Sequence, residues 1–402
     1  MSKKQKLLPT LRFPEFINDG EWEEKTLNQL GKLIGGLTYS PEDVRDSGLL
    51  VLRSSNIQDG QIVLHDCVYV SPEIKGANLI QEEDILICVR NGSKALIGKN
   101  AIIPSNIPFA THGAFMTVFR TNYSKFVFQL FQTETYIKQV NADLGATINS
   151  INGTNFLKYK FVIPKSQKEQ QKIADCLSSL DEVISLNTQK LEQLKIHKKG
   201  LMQNLFPKEG ERVPKFRFPE FVNDGEWEEN TLKSVCQMQA GKFVNASEIK
   251  ESRNENLFPC YGGNGLRGYT KSFTHFGKYS LIGRQGALCG NVTLVDGKFH
   301  ATEHALVVTP NKEIHTNWLY YILVYLNLNQ YATGQAQPGL SVENLEKISL
   351  KVPSSKQEQQ KIAECLSSLD ELMTAQTQKI EILKEHKKGL MQQLFPKINK
   401  NE

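Results

Sequence analysis

The chain lacks the sequence features of membrane-spanning and secreted proteins. Its most apolar run, residues 318–326 (WLYYILVYL), has 9 residues, far fewer than the ~20 that a membrane helix needs. No apolar region follows the basic N-terminal residues, so a secretory signal peptide is not expected. The 7 cysteines are odd in number and contain no CxxC pair, which argues against a disulfide framework or a zinc site. These absences predict a cytoplasmic protein with buried thiols.

The motifs of common nucleotide-binding and catalytic sites are also missing. No GxGxxG motif follows a strand and opens a helix, and residues 262–265 (GGNG) lack the lysine–hydroxyl pair of a P-loop. Neither the proline-proline-aromatic motif of amino-group methyltransferases nor a paired acidic nuclease motif occurs, and the 8 histidines lie apart. We therefore expect no catalytic residue, no metal site and no cofactor bound by this chain.

The charge of the chain is mildly basic and unevenly distributed. The 402 residues have a formal net charge of +5, which favours a polyanionic partner. Residues 28–163 contain 12 Lys and Arg against 11 Asp and Glu, whereas residues 233–352 contain 12 against 8. The length suits two or three domains, and the second of these stretches is the more basic.

Two segments occur twice and frame two dissimilar inserts. A short repeat spans residues 12–27 (RFPEFINDGEWEEKTL) and 217–232 (RFPEFVNDGEWEENTL), with 14 identities in 16 positions. A long repeat spans residues 169–208 and 358–397, with 30 identities in 40 positions. Repeats of this kind fix the architecture of a chain. A duplicated frame around different inserts is expected of a protein that reads two different targets with one scaffold.

The long repeat has the heptad pattern of a coiled coil, with apolar residues at alternating spacings of 4 and 3. The pattern predicts helices that start near Gln167 and Lys356 and end near Phe206 and Phe395. We expect these helices, about 57 Å long at ~1.5 Å per residue, to pair in antiparallel orientation and create a pseudo-two-fold axis. Polar residues recur at two seam positions, Asn187 or Gln376 and Lys198 or Lys387, and a buried amide fixes register. The predicted seam contains Ile173, Leu177, Leu180, Ile184, Asn187, Leu191, Leu194, Leu201, Ile362, Leu366, Leu369, Met373, Gln376, Ile380, Leu383 and Leu390.

The inserts share a faint skeleton of short strands and glycine-containing turns, followed by a helix and a final strand. In this alignment Arg90 lies opposite Arg284, and Thr111 lies opposite Thr302. The predicted fold class is α+β, with two similar α+β domains joined by two long antiparallel helices. The predicted segments are residues 1–163 (first domain), 164–208 (first long helix), 209–353 (second domain) and 354–402 (second long helix and tail).

The order of these elements resembles the specificity (S) subunit of bacterial type I restriction-modification enzymes over essentially the whole chain. The resemblance rests on the doubled RFPEF…GEW segments and on the doubled EQQKIA and LSSLD stretches of the long repeat. It implies two target recognition domains, each reading one half of a bipartite site in double-stranded DNA, with the helices setting the spacer between the halves. It also implies that two methyltransferase subunits and restriction (translocase/endonuclease) subunits join this chain. The complex would then use S-adenosylmethionine, ATP and Mg²⁺, while this chain performs no catalysis.

A DNA-recognition protein needs phosphate contacts for affinity and base-edge contacts for specificity. Arg90 and Arg284 are candidates for a guanine edge or a phosphate, and Asn56 and Asn264 are candidates for an adenine edge. The arginines have an alternative role in surface ion pairs, and the asparagines have one in turns. The other candidates for base or backbone contacts are Lys94, Lys99, Thr111, Arg267, Lys271, Thr302, Gln335 and Gln337. Trp22 and Trp227 are expected instead to pack the short repeat between domain and helix.

Two other functions compete with DNA recognition. A protein–protein scaffold would use the coiled coil to organise partners and the inserts to bind peptides or sugars. A salt-dependent DNA affinity with site preference would separate the DNA reader from the scaffold. A complete enzyme with an unrecognised active site is disfavoured by the missing motifs, and methyl transfer by the purified chain alone would support it.

Overall fold

A computed structural model of the chain describes residues 7–144, 149–334 and 338–396. The chain divides into two compact units. The first contains the residues up to Asn187 together with those from Lys379 onward, and the second contains Thr188–Gln378. Because both divisions fall inside the long helices, each unit consists of one insert, one short repeat and one half of each long helix.

In the first half of the chain, the short repeat and the insert form short strands and helices that lead into a long helix. In chain order these are β1 (Glu23–Thr26), β2 (Lys32–Gly35), β3 (Val44–Arg45), β4 (Leu49–Leu52), β5 (Ile57–Gln58), β6 (Gln61–Ile62), β7 (Val68–Val70), β8 (Ile85–Cys88), β9 (Asn100–Ile102), β10 (Ala110–His112), β11 (Met116–Arg120), α1 (Ser124–Leu130), α2 (Glu134–Asp143), α3 (Gly153–Phe156), β12 (Lys160–Ile163) and α4 (Gln167–Leu205). Two four-stranded sheets have the orders β10-β4-β7-β3 and β2-β11-β8-β9.

The second half repeats this plan. In chain order it contains β13 (Glu228–Thr231), α5 (Leu232–Val235), β14 (Cys236–Ala240), β15 (Phe258–Gly262), β16 (Gly265–Thr270), β17 (His275–Phe276), β18 (Tyr279–Gly283), β19 (Val292–Val295), β20 (Lys298–Ala301), β21 (Ala305–Pro310), α6 (Thr316–Tyr325), α7 (Val342–Glu346), β22 (Ser349–Val352) and α8 (Lys356–Leu394). Its sheets have the orders β14-β21-β18-β19 and β16-β15-β20-β17. The predicted α+β class is confirmed for both domains.

The strand of each short repeat closes onto the strand that precedes the long helix. β1 pairs antiparallel with β12, and β13 pairs antiparallel with β22. The backbone hydrogen bonds of this pairing hold the final strand in register with the strand of the short repeat. The start of the long helix that follows is therefore fixed in position. This closure explains why the short repeat and the helix are duplicated together although the inserts between them differ.

The predicted coiled-coil seam is confirmed within each unit, and the helices begin at the predicted residues. Every predicted seam residue is buried or half-buried. In the first unit Ile173 near the start of α4 shares a core with Leu394 at the end of α8. In the second unit Leu205 at the end of α4 shares a core with Ile362 near the start of α8. The helix halves are therefore antiparallel in both units. Within the three described ranges, no helix is long and apolar enough to cross a membrane.

A buried glutamate holds the first short repeat against α4. Glu169, whose side chain is 1% exposed, accepts hydrogen bonds from Arg12 through both carboxylate oxygens at 2.8 Å and from Trp22 Nε1 at 3.1 Å. Arg12 also donates to the carbonyl oxygen of Gly20 at 2.7 Å. The hydrogen bonds to Glu169 raise the pKa of the Arg12 guanidinium. The carboxylate has charged and neutral donors around it, which offsets the cost of its burial.

The second unit repeats this arrangement at the equivalent positions. Glu358 accepts from Arg217 at 2.8 and 2.7 Å and from Trp227 Nε1 at 3.2 Å, and its side chain is 1% exposed. Both tryptophans are almost fully buried, which confirms that they pack the short repeat rather than face solvent. The RFPEF…GEW motif therefore encodes an attachment of the short repeat to the start of each long helix.

Replacing Glu358 with Ala is expected to lower the free energy of unfolding by about 3–5 kcal/mol, because Arg217 becomes a buried charge without its partner. Urea denaturation measures this change. Glu343→Ala is the control, since it removes an exposed ion pair with Lys347 that contributes little to stability. Equal losses in the two variants would contradict a structural role for the buried carboxylate.

Candidate nucleic-acid interface

Four loops of the first domain meet at one edge of its sheets. Asn91, just after β8, donates through Nδ2 to Ser54 Oγ in the loop after β4 at 3.1 Å. Arg90 lies beside the β10–β11 loop, with its guanidinium carbon 5.8 Å from the ring centroid of Phe115. Asn149 donates to the Gly92 carbonyl oxygen at 3.0 Å and brings the fourth loop to the same place. We call these four loops cluster 1.

The second domain brings together the same four loops. The backbone nitrogen of Arg284, after β18, donates to the carbonyl oxygen of His304 in the β20–β21 loop at 3.0 Å. Gly286 donates to Pro338 at 3.0 Å. Gly263, after β15, approaches β18 so closely that a Cβ on Gly283 would lie 1.8 Å from its carbonyl oxygen, and only glycine permits that approach. We call these loops cluster 2.

The structure contradicts Asn56 as a base contact. Its side chain is fully buried, and Oδ1 accepts from the backbone nitrogen of Arg53 at 2.9 Å. Nδ2 donates to the carbonyl oxygens of Val63 and His65, both at 3.0 Å. All these bonds lie within the domain. Asn56 therefore holds the turn after β4 in shape, which is the structural role that the sequence analysis gives as the alternative to DNA contact. Asn264, by contrast, is exposed in cluster 2.

The structure also contradicts Thr111 and Thr302 as DNA contacts, because both side chains are fully buried. Thr111 Oγ1 donates to the carbonyl oxygen of Asn78 at 2.7 Å. Thr302 Oγ1 accepts from the backbone nitrogen of His304 at 3.4 Å. Hydroxyls of this kind satisfy local backbone groups and stiffen a loop. Because both side chains are 0% exposed, neither hydroxyl is presented at the surface of its domain.

The sequence alignment of the two arginines is wrong by one residue. Ile151 donates to the carbonyl oxygen of Val89 at 2.8 Å, and Leu340 donates to the equivalent carbonyl oxygen of Arg284 at 2.9 Å. Arg90 is therefore equivalent to Gln285, and both side chains are exposed, whereas Arg284 is half-buried. A shift of one residue along extended backbone turns a side chain to the opposite face. The alignment of the two threonines is also wrong. Gly113 donates to the carbonyl oxygen of Leu52, and Thr302 donates to the equivalent carbonyl oxygen of Tyr261. Thr302 is therefore equivalent to Gly113 and not to Thr111.

The basic candidates occupy different places around the clusters. Lys94 begins the 3-10 turn after cluster 1 and is exposed, and Lys99, three residues beyond the end of that turn, is half-buried. Arg267 is exposed on β16, with its Cδ 3.7 Å from the Cβ position of Gly262 in cluster 2. Lys271 is exposed beyond the far end of β16, away from cluster 2. Gln335 and Gln337 lie outside the described residues.

Sequence reasoning missed two exposed side chains in the clusters. Phe115 is 58% exposed although it lies between two strands, and Arg90 covers one side of its ring. Gln285 is exposed at the position equivalent to Arg90. An apolar ring can contact a thymine methyl group, and a glutamine can pair bidentately with adenine. Phe115 is visible in the sequence only as the start of an apolar strand, so no local signal marks it as exposed.

The second domain has a surplus of positive charge without acidic partners. Residues 236–310 contain 8 Lys and Arg against 5 Asp and Glu. None of these basic side chains lies within 4.0 Å of a carboxylate in the part of the chain that the structure describes. Such charges attract phosphates at a distance and release counterions on contact. They are Lys242, Lys250, Arg253, Arg267, Lys271, Lys278, Arg284 and Lys298.

Asn56→Ala is expected to lower the free energy of unfolding by about 1–3 kcal/mol, because backbone groups around the loop lose their buried partners. Asn264→Ala is the matched control, since the same change at an exposed position leaves stability within about 0.5 kcal/mol of the parent. Thermal or urea unfolding of both variants measures the difference. An Asn56 variant as stable as the Asn264 variant would restore Asn56 as a candidate for base recognition.

Comparisons with known proteins agree with this architecture. The family model described as the type I restriction modification DNA specificity domain matches residues 19–196 and 224–385. The type I restriction enzyme EcoprrI specificity subunit of Escherichia coli is 32% identical over 350 residues, which are 85% of this chain and 81% of the relative.

Two solved structures share the fold. The S subunit of the type I restriction-modification system from M. genitalium has a TM-score of 0.67 at 18% identity, covering 98% of this chain and 100% of that one. A chain from a study of complex assembly and conformational transition of the type I R-M system has a TM-score of 0.51 at 16% identity, covering 93% and 97%. Because the family model matches both inserts and most of each long helix, the chain belongs to the family of DNA specificity subunits of type I restriction-modification systems.

Proposed function

We propose that this chain reads a bipartite DNA site, one half with each recognition domain, and performs no catalysis itself. The observation that carries the proposal is the pair of loop clusters, which have the same backbone hydrogen bonds but different exposed side chains. Cluster 1 presents Arg90 and Phe115, and cluster 2 presents Asn264, Gln285 and Arg267. Equivalent positions with different chemistry are what two unlike half-sites require.

Affinity and specificity would come from different parts of each domain. The unpaired lysines and arginines of the second domain would bind phosphates in a salt-dependent way. The exposed side chains of the clusters would contact base edges in the major groove, where each base pair has a distinct pattern of donors and acceptors. The first domain has fewer unpaired basic groups, since Arg53 and Arg120 are bound to Asp66 and Asp84. Its half-site would therefore depend more on base contacts than on charge.

The long helices would set the separation of the two half-sites. Half-sites one turn of DNA apart lie ~34–36 Å from each other on one face, and base pairs between them would be spanned without being read. Changes in helix length or register should therefore alter the spacer and leave the half-site sequences unchanged. The helices and short repeats would also bind two methyltransferase subunits, and restriction subunits would join the assembly.

The chemistry of the complex would reside in those partner subunits. They would hold S-adenosylmethionine, ATP and Mg²⁺, and a target adenine would be flipped out of the duplex to reach the methyltransferase. The specificity subunit supplies only the position at which this happens. Sequencing of methylated bases in cells that carry the partner subunits, with and without this chain, tests the proposal. A bipartite methylated motif that appears only with this chain is the expected result.

Exchange of residues 28–163 for the corresponding insert of another family member should change one half of the methylated motif and leave the other half and the spacer intact. The second domain retains its own loops and its own attachment to α8 in such a chimera, so its half-site has no reason to change. Methylated-base sequencing of the chimera provides the readout. A change in both halves would argue against independent domains, and an unchanged motif would remove the first insert from recognition.

Arg90→Ala and Arg267→Ala should affect DNA binding in different ways. Loss of a base-edge contact at Arg90 should cost about 1–3 kcal/mol and relax specificity at one position. Loss of a phosphate contact at Arg267 should weaken binding to all sequences about equally and reduce the salt slope by about 1. Equilibrium binding of the reconstituted complex at several salt concentrations measures both effects.

The control for these variants is Lys347→Ala, which removes an exposed ion pair on α7. It should leave both affinity and salt slope unchanged. If both arginine variants bind like the parent at every salt concentration, neither cluster contacts DNA through these arginines. A parent complex without any site preference would instead favour the scaffold function over DNA recognition.

A further inference from the structure

Each unit contains an ion pair that crosses the helix seam. In the second unit Lys198 Nζ of α4 lies 2.5 Å from Asp370 Oδ1 of α8, and in the first unit Lys387 Nζ of α8 lies 2.6 Å from Asp181 Oδ1 of α4. The lysine side chains are only 15% and 12% exposed. Both lysines occupy positions that the heptad pattern assigns to apolar residues. The charges are thus partly removed from water, and each has its counterion on the other helix.

The same carboxylates also bind the recognition domains. Asp370 Oδ2 accepts from Tyr321 Oη of α6 at 2.7 Å, and burial raises the pKa of Tyr321, which keeps that hydroxyl protonated as a donor. Asp181 Oδ2 accepts from Gln129 Nε2 of α1 at 2.9 Å. One aspartate in each unit therefore binds both the other long helix and the recognition domain, and Lys387 contacts both oxygens of Asp181.

Only one register of the helices allows these pairs. A shift of one heptad would place Lys387 opposite Ala174 or Thr188 instead of Asp181. The same shift would place Lys198 opposite Ala363 or Thr377 instead of Asp370. Leucine and isoleucine recur at most layers of the seam, so the ion pairs add to the register information of the buried Gln376 amide and of the helix ends that pack into the two cores. A shift of one heptad in either direction separates both lysines from their aspartates, and this loss is unfavourable because the lysine side chains are only 15% and 12% exposed.

We propose that the Lys198–Asp370 and Lys387–Asp181 pairs fix the axial register of α4 and α8 and thereby determine which spacer length the protein accepts. This inference rests on the proposed function, in which the helices separate the two readers. One heptad corresponds to a shift of about 10.5 Å along the helix axis. At ~3.4 Å per base pair step, that shift equals about three base pairs of spacer. The pairs are positioning residues, since they touch neither a base nor a phosphate in this role.

The test compares two double variants of the full chain, assembled with its methyltransferase subunits. Lys198→Met/Lys387→Met removes both seam charges, while Met retains the apolar stem and fits a seam position. Lys195→Met/Lys384→Met is the matched control, because it makes the same change at equivalent repeat positions whose lysines form exposed ion pairs with Glu192 and Glu381. Duplexes carry the natural half-sites with the natural spacer or with spacers one and three base pairs longer or shorter.

The seam variant should bind the duplex with the natural spacer, but its discrimination against duplexes with altered spacers should fall about tenfold. The reason is that a shifted register no longer leaves a seam lysine without its aspartate. The control variant should discriminate like the parent. Unchanged discrimination in a folded seam variant overturns the inference. A parent complex that binds no bipartite site at all overturns the proposed function instead.

A second measurement tests the register without DNA. Spin labels at residues 182 and 385, which are exposed on the α4 and α8 halves of the first unit, report the axial alignment of the helices. One distance in the parent and control and an additional population displaced by about 10 Å in the seam variant support the register lock. A single unchanged distance in the seam variant overturns it. If the seam variant does not fold, Lys198→Gln/Lys387→Gln replaces it, since it also removes both charges and the seam already holds a buried glutamine at Gln376.

Discussion

The attachment of each short repeat to a long helix depends on one buried carboxylate. Glu169 and Glu358 each receive an arginine and a tryptophan from the RFPEF…GEW segment. A carboxylate at this depth is tolerated only because both of its oxygens are bound by donors. The interaction therefore constrains the sequence at three separated positions in each repeat. It explains why the frame of the molecule is duplicated almost without change while the inserts diverge.

The frame was predictable from the sequence because its signals are local and periodic. The heptad pattern identified the seam, and proline and repeat boundaries placed the helix ends to within about one residue of Gln167–Leu205 and Lys356–Leu394. The polar seam lysines were also visible. Their partners, Asp181 and Asp370, were not, because a heptad pattern describes one helix and says little about which residue of the other helix a long side chain reaches.

The recognition loops were less predictable because short strands carry little periodicity. Similar neighbours match Arg90 to Arg284 in the sequence, but the true equivalent of Arg90 is Gln285, because Arg90 bridges to Ser150 as Gln285 bridges to Gly339. Asn56 looked like an exposed turn residue and is fully buried. Its role depends on the carbonyl oxygens of Val63 and His65, whose position no local pattern reveals. Burial is a property of the assembled domain, so the sequence alone does not separate buried candidates from exposed ones.

The end of α8 has an effect far from its place in the sequence. Leu394 and Phe395 belong to the core of the first unit, and the Phe395 ring lies 6.1 Å from that of Phe126. The backbone nitrogen of Leu11 donates to the carbonyl oxygen of Gln393 at 2.9 Å. A premature stop codon shortly before position 379 would therefore remove core residues from the N-terminal domain, although that domain is translated first. The core of the second domain would remain complete.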